Sequence, residues 1–247
     1  MEEKFSVDTS DGKKIYGIKN YTDGKKKSAI FIVHGLGGSL TEYQHKRAAD
    51  FFQSEYDVYR FNLYSAHKNA RKLIDCNLKV HAADLKTILD FYAKDYDGIY
   101  LIGHSYGATT VMVTQPKNEN IKAVSLWDPT FNPSRFKDIP ENKSLIEHHK
   151  FRTLNWGMNV LATHELFDEA AKLDADICIK LANNFGHPVQ VIHAREGLFI
   201  EDEVSFHSFG HKENVREIIE GAGHCFCENN TCDELLDRTS KWFKKFE

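Results

Sequence analysis

Residues 98 to 110 read GIYLIGHSYGATT. Ile99-Tyr100-Leu101-Ile102 is a short apolar run of strand-forming residues, and Ala108-Thr109-Thr110 are small enough to open a helix. Between them lies Gly103-His104-Ser105-Tyr106-Gly107, a G-x-S-x-G pattern at the corner where a strand turns into a helix. Such a corner is a nucleophile elbow: glycines on both sides leave room for a backbone turn that a side chain would obstruct, and the serine hydroxyl stands out at the end of a sheet. The bare pattern is short enough to arise by chance. The flanking strand and helix are what give it meaning.

Two other segments supply what an activated serine needs. Residues 28 to 39, SAIFIVHGLGGS, are an apolar strand followed by His34-Gly35-Leu36-Gly37-Gly38, whose unencumbered backbone N–H groups can point at a developing negative charge. Residues 214 to 226, NVREIIEGAGHCF, read as a strand, a Gly-Ala-Gly turn and then His224. A serine hydroxyl is a poor nucleophile near neutral pH, so an imidazole with a pKa near 6.5 is needed to take its proton and later return it to the leaving group.

With these motifs in the order elbow first and histidine late, the chain resembles the α/β-hydrolase superfamily along residues 1 to 247. That resemblance implies an α/β fold with a mostly parallel eight-stranded sheet flanked by helices, plus a helical cap. It also implies a Ser105, His224 and acid triad, with the backbone N–H groups of Leu36 and Tyr106 as the oxyanion hole. The substrate expected is a small acyl ester or thioester, with no cofactor.

The acid is the least determined member. An Asp or Glu must bond the far ring nitrogen of the histidine, fixing its tautomer and stabilising the imidazolium. Family members usually carry it a few residues past the seventh strand, where this chain has Ala194-Arg195-Glu196-Gly197, with glycine at the aspartate position. Asp128, in Leu126-Trp127-Asp128-Pro129, ends the sixth strand, and some lipase-like members place their acid at that station. Asp128 is the first candidate, Glu196 the second and Asp202 the third. A turn cap beside Pro129 is the plain alternative for Asp128. His34 is expected to bond within its own loop, and His104 to be a packed or hydrogen-bonded core histidine.

The composition agrees with an enzyme of this class. Across 247 residues, 41% hydrophobic content is enough for a substantial core, and no repeat divides the chain. Its longest apolar runs, such as Ala29 to Val33, fall far short of the roughly 20 residues that span a bilayer. The charged start MEEKFSVDTSDGKK lacks the apolar region of a secretory signal, so a cytoplasmic protein is expected. The net charge of −4 has no concentrated basic face, and Lys25-Lys26-Lys27 and the lysines from 241 to 245 read as solvated surface, so nucleic acid is not an expected partner. Five cysteines do not make a disulfide framework, and His224-Cys225-x-Cys227-x4-Cys232 lacks a paired C-x-x-C, so no metal is expected. Oligomeric state is left open.

Along the chain, Phe5-Val7-Thr9 and Ile15 to Ile18 form an opening hairpin around Asp11-Gly12. Strands are expected at 29–33, 57–62, 98–103, 121–127, 188–193 and 214–219, with helices at about 41–54, 79–94, 106–114 and 231–246. Residues 129–187 break the alternation. They are too long for a structureless loop and rich in large apolar residues, and in family terms look like a helical cap over the serine. A serine esterase is the reading these motifs favour. An acyltransferase or thioesterase would use the same residues, and a non-catalytic ligand receptor could keep the same fold.

Overall fold

In the computed structural model, which describes residues 1–138, 151–155, 159–197 and 204–247, the elbow strand β5 (Gly98–His104) is buried along its whole length. That burial explains its unbroken apolar reading, because in a sheet covered on both faces alternate side chains enter two different cores. Ile99 and Leu101 join one core, Tyr100 and Ile102 the other. Its neighbour β3 (Ser28–Val33) follows the same rule, sending Ala29, Phe31 and Val33 to the first and Ile30 and Ile32 to the second.

Among the described residues the main sheet has eight strands. β1 (Glu2–Asp8) and β2 (Lys14–Asn20) form the expected antiparallel hairpin, and β2 also pairs antiparallel with β4 (Asp57–Asn62). The rest is parallel, giving the order β1-β2-β4-β3-β5-β6-β9-β10 with β6 (Ile121–Trp127), β9 (Val189–Glu196) and β10 (Val215–Gly223). Parallel strands need crossovers, and these helices cover both faces. On one face lie α2 (Leu78–Tyr92), α3 (Tyr106–Thr114) and α5 (Ala175–Asn184), contributing Leu85, Ile88, Val111, Met112, Cys178 and Ala182 to the first core. On the other lie α1 (Tyr43–Phe52) and α6 (Thr231–Phe243), contributing Ala48, Phe52, Leu235, Leu236, Trp242 and Phe243. Fully burying a side chain such as Leu236 contributes roughly 1.5–3 kcal/mol, so each helix is held by its apolar stripe more than by intrinsic propensity.

Helix α3 has its expected span and α1 is shorter than its pattern at both ends, while the patterns at 79–94 and 231–246 finish as 3-10 turns, Ala93–Asp95 after α2 and Lys244–Phe246 after α6. Strands β9 and β10 instead run beyond their predicted ends, and β10 shifts register between Ile219 and Gly223, a bulge that lets it continue through a Gly-Ala-Gly segment that reads as a turn. The interval between β6 and β9 is not purely helical either. It holds α4 (His164–Ala171), α5 and a separate antiparallel hairpin of β7 (Phe151–Asn155) and β8 (Asn159–Thr163), whose sequences FRTLN and NVLAT carry the β-branched and aromatic residues that favour strands. None of the described helices is long and apolar enough to cross a membrane.

The parallel strands all end on one edge of the sheet, which is where such folds collect their chemistry. β3 leads into His34, β5 into Ser105, β6 into Asp128 and β10 into His224.

Candidate active site

The turn at Ser105 depends on two close approaches. A Cβ on Gly107 would lie 2.3 Å from the Val33 carbonyl oxygen, and one on Gly103 would lie 2.7 Å from Ala108 Cα, so helix α3 packs against the ends of β3 and β5 only where side chains are missing. Ser105 itself adopts φ 55° and ψ −124°, a conformation that costs a non-glycine residue of order 1–3 kcal/mol and that recurs at functional corners. The surroundings impose it. The Ser105 N–H donates to the Trp127 carbonyl (2.9 Å), and its own carbonyl accepts from Ala108 (3.0 Å) and Thr130 (3.2 Å). The side chain is left half-buried at the rim.

The glycine-rich loop after β3 lies directly against this serine: a Cβ on Gly35 would come 2.9 Å from Ser105 Cβ and 3.3 Å from its Oγ. Tyr106 opens α3, at the helix end where backbone N–H groups point outward. Side chains hold the loop in place. His34 donates from Nδ1 to the Gly35 carbonyl (2.8 Å) and accepts at Nε2 from the Leu63 N–H (3.0 Å), a neutral tautomer consistent with burial pushing its pKa down to about 4. The Leu40 N–H donates to Asn62, and Arg60 donates to the Leu40 carbonyl. Leu36 and Tyr106 pack with Leu78 and with Leu166, Phe167 and Ala170 of α4, so part of the 129–187 interval sits on these two residues.

Across the rim, His224 Nδ1 lies 2.5 Å from Asp128 Oδ2, between residues 96 apart in the chain. Asp128 is fully buried, whereas the His224 side chain is 22% exposed. Burial raises the Asp128 pKa, but the imidazoles of His193 and His224 outweigh it and hold the carboxyl at about 2. An ionised carboxylate can only accept, so His224 Nδ1 carries a proton and, in the neutral imidazole, Nε2 is the nitrogen that offers a lone pair. The Ala194 N–H donates to the other oxygen, Asp128 Oδ1 (3.3 Å). Asp128 takes φ 38°, a left-handed conformation that Asp tolerates better than most residues.

Of the other acid candidates, Glu196 is exposed at the end of β9, and Asp202 lies outside the described residues. The neighbouring glycine is informative: a Cβ on Gly197 would come 2.5 Å from Asp128 Oδ2. The Asp128 carboxylate fills the space that a side chain at 197 would need.

Sequence reasoning passed over two residues here. His193, fully buried on β9, places Nδ1 3.5 Å from Asp128 Oδ1, close enough for electrostatic attraction but longer than a good hydrogen bond. The only sign of it in the sequence is a histidine inside an apolar strand. Glu42, just before α1, accepts from the Ser39 N–H (3.3 Å) and lies 3.3 Å from His45 Nδ1, its pKa raised by burial and partly offset by the Ser39 bond and by attraction to His224. Glu42, His45 and His104 bring ligand-type atoms within 4.8 Å of one another. The His45 nitrogen beside Glu42 also donates to the Ser39 carbonyl (3.1 Å). All five cysteines are free, and burial pushes the Cys225 thiol, next to His224, up to about 11.

Residues 24–175 match the family model described as serine aminopeptidase, S33. No curated protein sequence matches the chain. Solved structures with the same fold include Est1E from Butyrivibrio proteoclasticus with ferulic acid bound (TM-score 0.81, 17% identity, 98% of each chain covered). Mouse alpha/beta hydrolase domain-containing protein 10 is similar too (TM-score 0.77, 16% identity, 99% of this chain and 100% of that one). So is an esterase domain from Rhodothermus marinus (TM-score 0.76, 14% identity, 100% and 99%). At these identities the likeness is one of fold.

Proposed function

This chain belongs to the serine aminopeptidase S33 family of α/β hydrolases, and from that premise we propose that it is a serine esterase acting on small acyl esters. Ser105 attacks the acyl carbonyl, His224 Nε2 takes its proton, and Asp128 orients His224 through Nδ1 and stabilises the imidazolium. The backbone N–H groups of Leu36 and Tyr106 receive the oxyanion, each contributing on the order of 2.7–4 kcal/mol of transition-state stabilisation. His224 then returns the proton to the leaving alcohol, and water releases the acyl group by the same steps in reverse. The observation that carries the reading is the 2.5 Å contact between His224 Nδ1 and a fully buried, ionised Asp128, at the sheet edge where Ser105 is displayed.

In the same reading the chain is one α/β-hydrolase domain in which residues 129–187 act as a cap. The packing of Leu166, Phe167 and Ala170 of α4 with Leu36 and Tyr106 supports that role, because part of the segment then lies against the two residues assigned to the oxyanion hole. A bound aromatic acid in the structurally similar Est1E is consistent with an ester substrate.

The test is turnover of short p-nitrophenyl esters, together with labelling by a fluorophosphonate. Wild type is expected to turn over and to label, and Ser105→Ala to do neither while keeping its fold. Wild-type turnover in folded Ser105→Ala would sink the proposal. The same acyl-enzyme could pass its acyl group to an added alcohol or cleave a thioester, and product analysis with those reactants separates the activities.

A further inference from the structure

A second histidine holds the loop that carries His224. His104 ends β5 immediately before Ser105, is 2% exposed, and places its Nε2 2.8 Å from the His224 carbonyl oxygen. A carbonyl can only accept, so His104 Nε2 bears the proton. Its Nδ1 therefore presents a lone pair, and at 3.3 Å the Gln44 Nε2 amide, reaching in from α1, is the donor to it. Both ring nitrogens thus meet uncharged partners that require the same tautomer. Burial lowers the pKa of this imidazole to about 3, which keeps it neutral. The rings of His104 and His224 lie 4.8 Å apart between centroids at 38°.

The chain on either side of His224 is bent sharply. The Phe226 N–H donates back to the Gly223 carbonyl (2.9 Å), and Phe226 has φ 52°. A loop folded this tightly still needs a fixed point relative to the serine. The residue covalently joined to Ser105 supplies it by gripping the His224 main chain.

We propose that His104 is a positioning residue that sets the reach between the His224 ring and the Ser105 hydroxyl by bonding the His224 carbonyl. The inference rests on the serine-esterase reading. The chemistry needs no proton from His104, only its N–H donor at the right distance.

Three substitutions separate donor, reach and bulk. His104→Leu keeps the volume and removes the donor, His104→Asn keeps an amide too short to reach the carbonyl, and His104→Gln places an amide N–H near the position of Nε2. Steady-state kinetics on a p-nitrophenyl ester should show kcat lowered about 10- to 100-fold in His104→Leu and His104→Asn, the scale of a misplaced catalytic group. KM should stay within about twofold, because the lost interaction acts on the reacting geometry and not on substrate binding. His104→Gln should recover kcat to within about threefold of wild type, and Gln44→Met, which only releases the far side of the ring, should lose about two- to fivefold.

Thermal unfolding is measured on each variant. If His104→Leu fails to fold, the comparison of His104→Asn with His104→Gln decides, since both are polar and differ in reach. Full kcat in His104→Asn, or equal impairment in His104→Gln and His104→Asn, would overturn the inference. Wild type inert to both ester and fluorophosphonate would instead overturn the serine-esterase reading beneath it.

Discussion

Replacing Asp128 with asparagine should abolish turnover by a route that can be followed atom by atom. In the native site one carboxylate oxygen, Oδ1, accepts the Ala194 N–H at 3.3 Å, and the other, Oδ2, faces His224 Nδ1 at 2.5 Å. An asparagine amide has only one acceptor oxygen. The Ala194 N–H claims it, which turns the NH2 group toward His224. Two donors cannot share that contact, so the imidazole proton moves from Nδ1 to Nε2, the nitrogen that must be unprotonated to take the Ser105 proton. In a serine-protease triad this wrong-tautomer change costs about 10⁴-fold in kcat, or about 5.4 kcal/mol at 1.36 kcal/mol per decade. Because the amide nearly matches the carboxylate in shape, the fold should survive, and circular dichroism checks that. The assay is kcat on a short p-nitrophenyl ester at neutral pH. A folded Asp128→Asn variant within about tenfold of wild type would refute the assignment of Asp128 as the orienting acid.

Two further outcomes follow from the same geometry. Ser105→Gly should be inactive yet more stable than wild type, because glycine adopts φ 55° and ψ −124° without the strain serine bears. A gain of about 1 kcal/mol corresponds to roughly 2–4 °C in Tm for a chain of this size, and a lower Tm would contradict the strain argument. Acid stability should also report on Asp128, whose folded pKa of about 2 lies below the ordinary 3.8. The unfolded chain then binds the proton first as pH falls, so the stabilisation is present above about pH 4 and is lost toward pH 2, amounting to about 2 kcal/mol. Chemical denaturation at stepped pH should show that loss in wild type, and a loss across the same window smaller by about this amount in Asp128→Asn.

The reading of the sheet worked where the chemistry is local. β3 and β5 announce themselves by apolar runs because both sheet faces are covered, and the elbow announces itself because only glycine permits the 2.3 Å and 2.7 Å approaches at 107 and 103. Element ends were harder. The hairpin β7–β8 hides in an interval whose large apolar residues also fit helices, and β10 passes through a bulge at a segment that reads as a turn.

By itself the sequence determined that one serine sits on a tight strand-to-helix corner, that a glycine-rich loop follows β3, and that a histidine follows the last strand and its Gly-Ala-Gly segment. Those are consequences of backbone sterics and of periodicities spanning a few residues. Which carboxylate faces His224 was decided by tertiary structure alone, because the contact joins residues 96 positions apart and depends on Gly197 leaving space for Asp128. The same holds for His193 and His104, two of thirteen histidines in the chain, whose partners lie on other strands and loops. A side chain's type states what it can bond. Only the packing of distant segments states what it does bond.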